Sequence, residues 1–496
     1  MSAVGERRLL IDGELVEASG GATFDNVNPA TEEVLGVTAD GTAVDMERAV
    51  AAARRAFDES GWATDPELRK RCLGQLQAAL EAEQEALRAE LVAEVGCPIL
   101  STWGPQLDAP LKEAITWPAE MIDRFEWKRS LGPKDPFGMG SLNEREVWKE
   151  PVGVVGVITP WNFPVEIILN KLGPVLAMGN SMVLKPAPDT PWNATRIGRL
   201  VAEQTDIPAG IVNVVASSDH LVGEVLSTSP DVDMVAFTGS TATGKRIMAA
   251  ASETLKPVFL ELGGKSVTMV LDDADFASAI PGAAMVCFHA GQGCAMPTRL
   301  LVPRSRYDEA LDLLGPAFAG ISYGDPTDAS NLMGPVVSER QRDRVMGYIE
   351  AGTAEGARLL CGGGRPAHLD RGWFVEPTCF VDVEPDMAIA QEIFGTGARG
   401  DPLRGRRTTR CASPTTASWL PGDDHLRPRP GEGGGRPDPH RHPRDQRGHL
   451  VRRRRAVRRL QAVGHRPPVR HRGPGDLHRD QDRRLARPAL STRSNP

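Results

Sequence analysis

The 496-residue chain has no apolar run long enough to span a bilayer. The opening Met1-Ser-Ala-Val-Gly-Glu-Arg-Arg also lacks the apolar core of a secretion signal, so the cytoplasm is the expected compartment. No Cys-x-x-Cys occurs. The seven cysteines (Cys72, Cys97, Cys287, Cys294, Cys361, Cys379 and Cys411) are scattered without paired spacing or histidine partners. That pattern argues against structural zinc and for reduced thiols in a cytosolic enzyme. Aromatic residues make up only 5%, too few to mark out a ligand pocket. A Gly-x-Gly-x-x-Gly fingerprint is missing from the first strand–helix turn, which removes the ordinary dinucleotide signature. Strong positive charge is missing too: a net −7 gives no reason to expect nucleic-acid binding by the chain as a whole.

That average conceals a division. After Thr396 come about 25 arginines, no lysine and about nine acids, so the preceding part is strongly acidic. A hydrophobic content of 41% over this length suffices for two or three packed domains.

Leu9 to Glu17 reads as two short strands about an Asp12-Gly13 turn. Helical spacing follows over 43–57, over a longer stretch at about 65–95 that opens on Asp65-Pro66-Glu67, and over about 106–125. Glu146 to Glu150 can form an extended segment. From Pro151 the pattern changes to β-branched runs alternating with helices. Strands are predicted at 151–159, 181–185, 211–215 and 234–237, with helices at about 166–178, 192–204 and 221–228. This alternation predicts an α/β fold with a doubly wound parallel sheet, an architecture suited to a dinucleotide.

Three runs carry chemistry: Thr159-Pro-Trp161-Asn162-Phe-Pro164, Phe259-Leu-Glu261-Leu-Gly-Gly-Lys265 and His289-Ala-Gly-Gln-Gly-Cys294-Ala-Met-Pro-Thr-Arg299. A thiol set among glycines lies on backbone that can approach a ligand closely, and an upstream carboxylate can serve as a base. Taken singly, each residue also has an ordinary reading. Cys294 could be a small buried hydrophobe, Asn162 a turn residue, Glu261 a partner of Lys265, and Lys171 or Lys185 a plain surface or strand-end lysine. Phe237-Thr-Gly239-Ser240-Thr-Ala-Thr-Gly244-Lys245 joins a strand to a helix, where Ser240 is a cap or part of an anion site.

In this order the three runs resemble the aldehyde dehydrogenase superfamily, from about Leu9 to Phe394. The resemblance implies oxidation of an aldehyde to a carboxylic acid by NAD(P), through a cysteine thiohemiacetal and a thioester. It assigns Cys294 as nucleophile, Glu261 as general base, Asn162 as oxyanion donor and Lys171 as a proton relay. Thr159, Trp161, Lys185, Gly239, Ser240, Glu392 and Phe394 fall at its cofactor positions. Glu261 favours hydrolysis over transfer of the acyl group to coenzyme A. The family often has glutamate where this chain has Pro188, which leaves NAD against NADP open with a slight lean to NAD.

The implied layout is a Rossmann-like NAD(P)-binding domain from 1–137 and 152–261, an oligomerisation hairpin at 138–151 and an α/β catalytic domain at 262–396. A homo-dimer or homo-tetramer is implied as well. Residues 397–496 show no hydrophobic period and are expected to be irregular. Back-translated with G+C-rich codons and displaced by one base, 437–486 yields three segments that resemble the family's closing motifs in order. A frameshift near codon 396 is therefore expected, leaving the catalytic domain incomplete and the literal chain unstable or inactive. The alternative is a non-catalytic pseudoenzyme, or a scaffold with a basic nucleic-acid-binding tail.

Overall fold

The computed structural model describes residues 5–135, 138–140, 142–264 and 266–390, and the backbone of 409–412 and 416–422. Strands β1 (Leu9–Ile11) and β2 (Glu14–Val16) form the expected hairpin, with Asp12 and Gly13 both at positive φ. A second hairpin joins β3 (Thr23–Val27) to β4 (Val34–Ala39). Next comes helix Ala43–Glu59, closed at its start by a reciprocal Thr42–Asp45 capping box.

The single helix expected over 65–95 is broken. Pro66–Ala82 ends at Glu83, Gln84–Glu90 restarts, and Leu91–Val95 winds as a π turn that stops at Gly96 in the left-handed region. No glycine or proline marks the first break. Tertiary contacts make it, because the Glu83 carboxylate is gripped by Arg196 and Arg199 from another helix. The stretch 106–125 is likewise two helices, Asp108–Glu113 and Thr116–Arg124. Pro118 has no N–H to offer the carbonyl of Ala114, which instead packs so closely on Gly173 that a side chain there would collide with it.

Strands β5 (Lys128–Ser130) and β6 (Glu146–Trp148) pair antiparallel, a hairpin where local alternation supports only an extended segment. The parallel core follows with β7 (Val154–Ile158), β8 (Ser181–Lys185), β9 (Val212–Val214), β10 (Met234–Gly239) and β11 (Val258–Leu262). With the first hairpin these make a seven-stranded sheet in the order β11-β10-β7-β8-β9-β1-β2. The chain proceeds outward from β7 through β8 and β9, then returns to the other side of β7 for β10 and β11. A switch point therefore opens at the carboxyl ends of β7 and β10, where doubly wound sheets bind ligands. Leu172, Leu176, Val157 and Leu184 lie in the core against one face of this sheet, and Val154, Val183, Val235 and Phe237 in the core against the other.

Beyond it, β12 (Val267–Met269) and β13 (Arg299–Pro303) belong to a second sheet, and β14 (Arg358–Cys361) pairs with β15 (Cys379–Val381). Helices Tyr307–Ala319 and Glu339–Ala354 lie in the same part of the chain. The tail is not wholly irregular. Its strands β16 (Thr409–Ala412) and β17 (Thr416–Gly422) extend the second sheet in the order β12-β13-β17-β16, with β17 supplying the backbone partners that β13 would otherwise lack on that edge. The expected frameshift point and the rest of the tail lie outside the described residues. Cys379 is disulfide-bonded, so the cysteines are not all reduced thiols; sequence spacing says nothing of which strands fold together. Among the described residues no helix is long and apolar enough to cross a membrane.

Candidate active site

The register of the parallel strands sets the expected site residues in rows. Lys185, Ile158, Phe237 and Leu260 lie opposite one another across β8, β7, β10 and β11, and Thr238 pairs with Glu261 one residue further on. Thr159 follows Ile158 and donates its N–H to the Lys185 carbonyl at 3.2 Å. From Lys185 to Glu261 is three strand spacings, roughly 14 Å along the carboxyl edge.

That edge is polar and partly unpaired. Among the described residues the buried hydroxyls of Thr159 and Thr238, at the switch point, have no hydrogen-bond partner. Gly239 ends β10, and Ser240 caps helix Thr241–Ser252 by accepting the Thr243 N–H at 3.2 Å. Trp161 stands half-buried after β7. Lys185 is 3% exposed, with Nζ donating to the Ser217 and Pro186 carbonyls at 3.3 and 3.4 Å. Burial pushes this amine down to about 8, opposed by Asp219, Asp189 and Asp40. Beside it a cavity of about 350 Å³ is lined by Asp40, Thr42, Ser217 and Asp219. Polar hydroxyls at a switch point, a helix start at Ser240 and a buried cation fit a dinucleotide laid along the edge.

Cys294 comes to this edge on a loop of unusual backbone. The helical stretch before it ends in three successive left-handed residues, His289 (φ 53°), Ala290 (φ 51°) and Gly291 (φ 68°). Two of these carry side chains, at a cost of about 1–3 kcal/mol each, so neighbouring structure must impose the shape. It does so through Asn162. The side-chain amide of Asn162 donates to the Gln292 backbone carbonyl at 2.8 Å, while the Asn162 backbone carbonyl lies 2.9 Å from His289 Nε2 and accepts from Gln106 Nε2 at 2.8 Å. Burial pushes His289 down to about 4, so the ring is neutral and donates through Nε2, and among the described residues Nδ1 has no partner. Gln292, itself buried, ties the loop to 335–337 by donating to the Pro335 carbonyl and accepting the Val337 N–H at 3.0 Å.

At the end of this loop Cys294 is exposed. Surrounding protein and the carboxylates Glu166 and Glu261 nevertheless raise its thiol pKa, against a smaller lowering from the N–H groups of Cys294 and Ala295. Glu261, half-buried on β11, is raised by desolvation and lowered in part by Lys171. Lys171 is buried on helix Pro164–Ala177, pushed down to about 8 by burial, with Nζ 5.2 Å from the centre of the Phe259 ring. The structure thus brings Cys294, Glu261, Lys171 and Asn162 together at one end of the edge, with Thr159, Trp161, Gly239 and Ser240 along it and Lys185 at the other end. Glu392, Phe394 and Lys265 lie outside the described residues.

Sequence patterns did not single out Glu166, Gln292, His289 or Gln106. For the last three no local signal exists, because their partners are remote in the chain. Glu166 left a trace, a lone acid at the start of an apolar helix directly after Asn162-Phe-Pro.

Residues 15–396 match the aldehyde dehydrogenase family model. The 3-succinoylsemialdehyde-pyridine dehydrogenase of a Pseudomonas species is 39% identical over 394 residues, covering 78% of this chain and 80% of that protein. Betaine aldehyde dehydrogenase 1 of rice is 38% identical over 401 residues, covering 79% and 78%. Among solved structures, a betaine aldehyde dehydrogenase of Staphylococcus aureus in complex with NAD+ superposes with a TM-score of 0.74 at 35% identity, covering 79% of this chain and 77% of that one. A mutant of aldehyde dehydrogenase C from Pseudomonas syringae, with NAD+ and octanal, gives 0.72 at 37% identity over 79% and 78%.

Proposed function

The chain belongs to the aldehyde dehydrogenase family, and we propose that Cys294 is its nucleophile, Glu261 its general base, Asn162 its oxyanion donor and Lys171 its proton relay. The reaction is the NAD-dependent oxidation of an aldehyde through a cysteine. The observation that carries the assignment of roles is the lock between Asn162 and the loop that bears the thiol.

The sulfur of Cys294 adds to the aldehyde carbon, forming the S–C bond while the carbonyl electron pair moves onto oxygen. An amide nitrogen has two hydrogens, and Gln292 occupies one at Asn162; the second is available to the new oxyanion. Nicotinamide, when bound, supplies the two-electron acceptor for the hydride that leaves this carbon. A thioester then remains on Cys294. Glu261 takes a proton from water as the water oxygen attacks the acyl carbon, the C–S bond breaks, and the carboxylic acid departs. Burial raises Glu261 toward the range where a carboxylate accepts a proton usefully, and Lys171 beside it passes the proton on.

Thr159, Trp161, Lys185, Gly239 and Ser240 are the groups we assign to the dinucleotide, with Glu392 and Phe394 assigned on the family resemblance alone. Residues 1–137 and 152–261 are read as the cofactor domain and 262–396 as the catalytic domain. The segment at 138–151, which supplies β6 of the β5–β6 hairpin and exposes Met139 and Leu142, is read as the contact that builds a homo-dimer or homo-tetramer. Nothing among the described residues favours the alternative of a non-catalytic scaffold.

Two variants test the roles. Cys294→Ala should abolish NADH formation, whereas Glu261→Gln should release a stoichiometric burst of NADH and then stall as the thioester persists. Steady turnover in Cys294→Ala overturns the assignment.

A further inference from the structure

A backbone carbonyl in a turn ordinarily finds its partners along the nearby chain or in water. The Asn162 carbonyl instead takes two side-chain donors from remote parts of the sequence. Gln106 Nε2, 56 residues upstream, donates to it at 2.8 Å, and His289 Nε2, 127 residues downstream, lies 2.9 Å away. Both side chains are fully buried. A carbonyl oxygen can only accept, so the ring nitrogen facing it carries the hydrogen. With both lone pairs engaged, rotation of the peptide between Asn162 and Phe163 would break one bond or the other.

A ring contact and a return bond reinforce this hold. The His289 ring meets Phe163 edge-on, with centroids 5.3 Å apart and planes at 80°. The Asn162 side-chain amide donates to the Gln292 backbone carbonyl at 2.8 Å, three residues beyond the histidine that donates to the Asn162 backbone. Gln292 in turn donates through Nε2 to the His289 carbonyl at 3.3 Å. One hydrogen of the Asn162 amide is occupied in this ring of contacts. The direction of the other depends on how the backbone of residue 162 is set.

Resting on the assignment of Asn162 as oxyanion donor, we propose that His289 and Gln106 are positioning residues for that donor. Held on one carbonyl, they fix the direction in which the second amide hydrogen of Asn162 points. Their effect on the reaction passes through Asn162 alone. An oxyanion exists only once sulfur has added to the aldehyde, so a misdirected donor slows the chemistry and leaves binding unaltered.

The test is a double-mutant cycle, read as the saturating rate of first-turnover NADH formation and the aldehyde concentration giving half that rate. His289→Phe keeps a flat ring against Phe163 and removes the donor. The rate should fall roughly tenfold, the scale of one hydrogen bond, while the half-saturating concentration stays unchanged. His289→Gln, whose amide nitrogen can replace Nε2 as donor, should recover most of the loss. In an Asn162→Ala background His289→Phe should cost little more, because residue 162 keeps its carbonyl but has no amide left to misdirect. A role in stability alone would lower the rate by the same factor in both backgrounds. Equal factors, an unchanged rate, or a change confined to half-saturation overturns the proposal. Gln106→Met, which also removes a donor at similar length, carries the same cycle from the other side if His289→Phe does not fold. Should Asn162→Ala react as fast as the wild type, the oxyanion assignment falls and this proposal with it. Should Asn162→Ala be slow while His289→Phe and Gln106→Met are not, only the proposal falls.

Discussion

The side-chain amide of Asn162 and the backbone carbonyl of Gln292 are 2.8 Å apart and 130 residues apart in sequence. One contact therefore joins the first strand–helix turn of the parallel sheet to the loop that carries the thiol. Asn162→Ala removes an oxyanion donor and this anchor at once. Its kcat should fall by about 10²–10³, as for loss of one such donor. Asn162→Asp should be no better, since a carboxylate has no N–H to give. Steady-state kinetics with the thiol titrated separately distinguishes slow chemistry from a lost loop.

The pKa of the Cys294 thiol is raised by desolvation from the surrounding protein and by the carboxylates Glu166 and Glu261. Thiolate is the reactive form, so alkylation by iodoacetamide should accelerate with rising pH and reach its plateau above the usual thiol range. In Glu261→Gln the midpoint should move toward acid, because a carboxylate that disfavoured the anion is gone. A midpoint at or below that of a free cysteine contradicts this electrostatic account.

Lys185 is flanked by Asp219, Asp189 and Asp40, the first and third of which line the adjoining cavity. A 2′-phosphate placed there would bring like charge beside these carboxylates, which costs several kcal/mol when poorly compensated. NAD should therefore be preferred to NADP by roughly tenfold or more in kcat/KM. Asp219→Asn should narrow the ratio chiefly by improving NADP. A ratio unmoved by that change removes Asp219 from the selection.

Glu94 is a structural carboxylate with a measurable signature. Fully buried, it accepts the Trp192 and Asn193 N–H groups at 2.9 and 3.0 Å and the side chains of Asn26 and Asn193, so it caps a helix that has no cap of its own. Desolvation, then Glu90, pushes it up to about 7 from an ordinary 4.5. Between those values the folded carboxyl keeps a proton that the unfolded chain has lost. Its contribution to stability therefore declines as pH rises across that window and is level above it. Glu94→Ala should cost about 2–3 kcal/mol by stranding these donors. Urea unfolding at several pH values should show that Glu94→Gln flattens the decline.

Strands β7 and β8 and the helix at 192–204 were legible because apolar runs bounded by proline and glycine turns leave few alternatives. The chemistry-bearing residues were legible only as types, since Cys294, Glu261 and Asn162 each had an ordinary local reading. Their convergence follows from strand register and from Gln292, neither of which has a local pattern. The break at Glu83 was invisible because Arg196 and Arg199 make it from another helix. An acid in a first turn, such as Glu166, suits the helix and so carries no local mark of a further role.

The left-handed run at His289, Ala290 and Gly291 gives the protein a built-in report on its own assembly. Nothing local favours that backbone, and the contacts that impose it come from Asn162, itself held by Gln106, and from the 332–337 segment. A nascent or damaged chain whose two halves have not docked will let the loop relax, and its cysteine will behave as an ordinary thiol. The reactivity of one sulfur thus counts the molecules in a preparation whose halves have come together, independently of whether any substrate has been found for them.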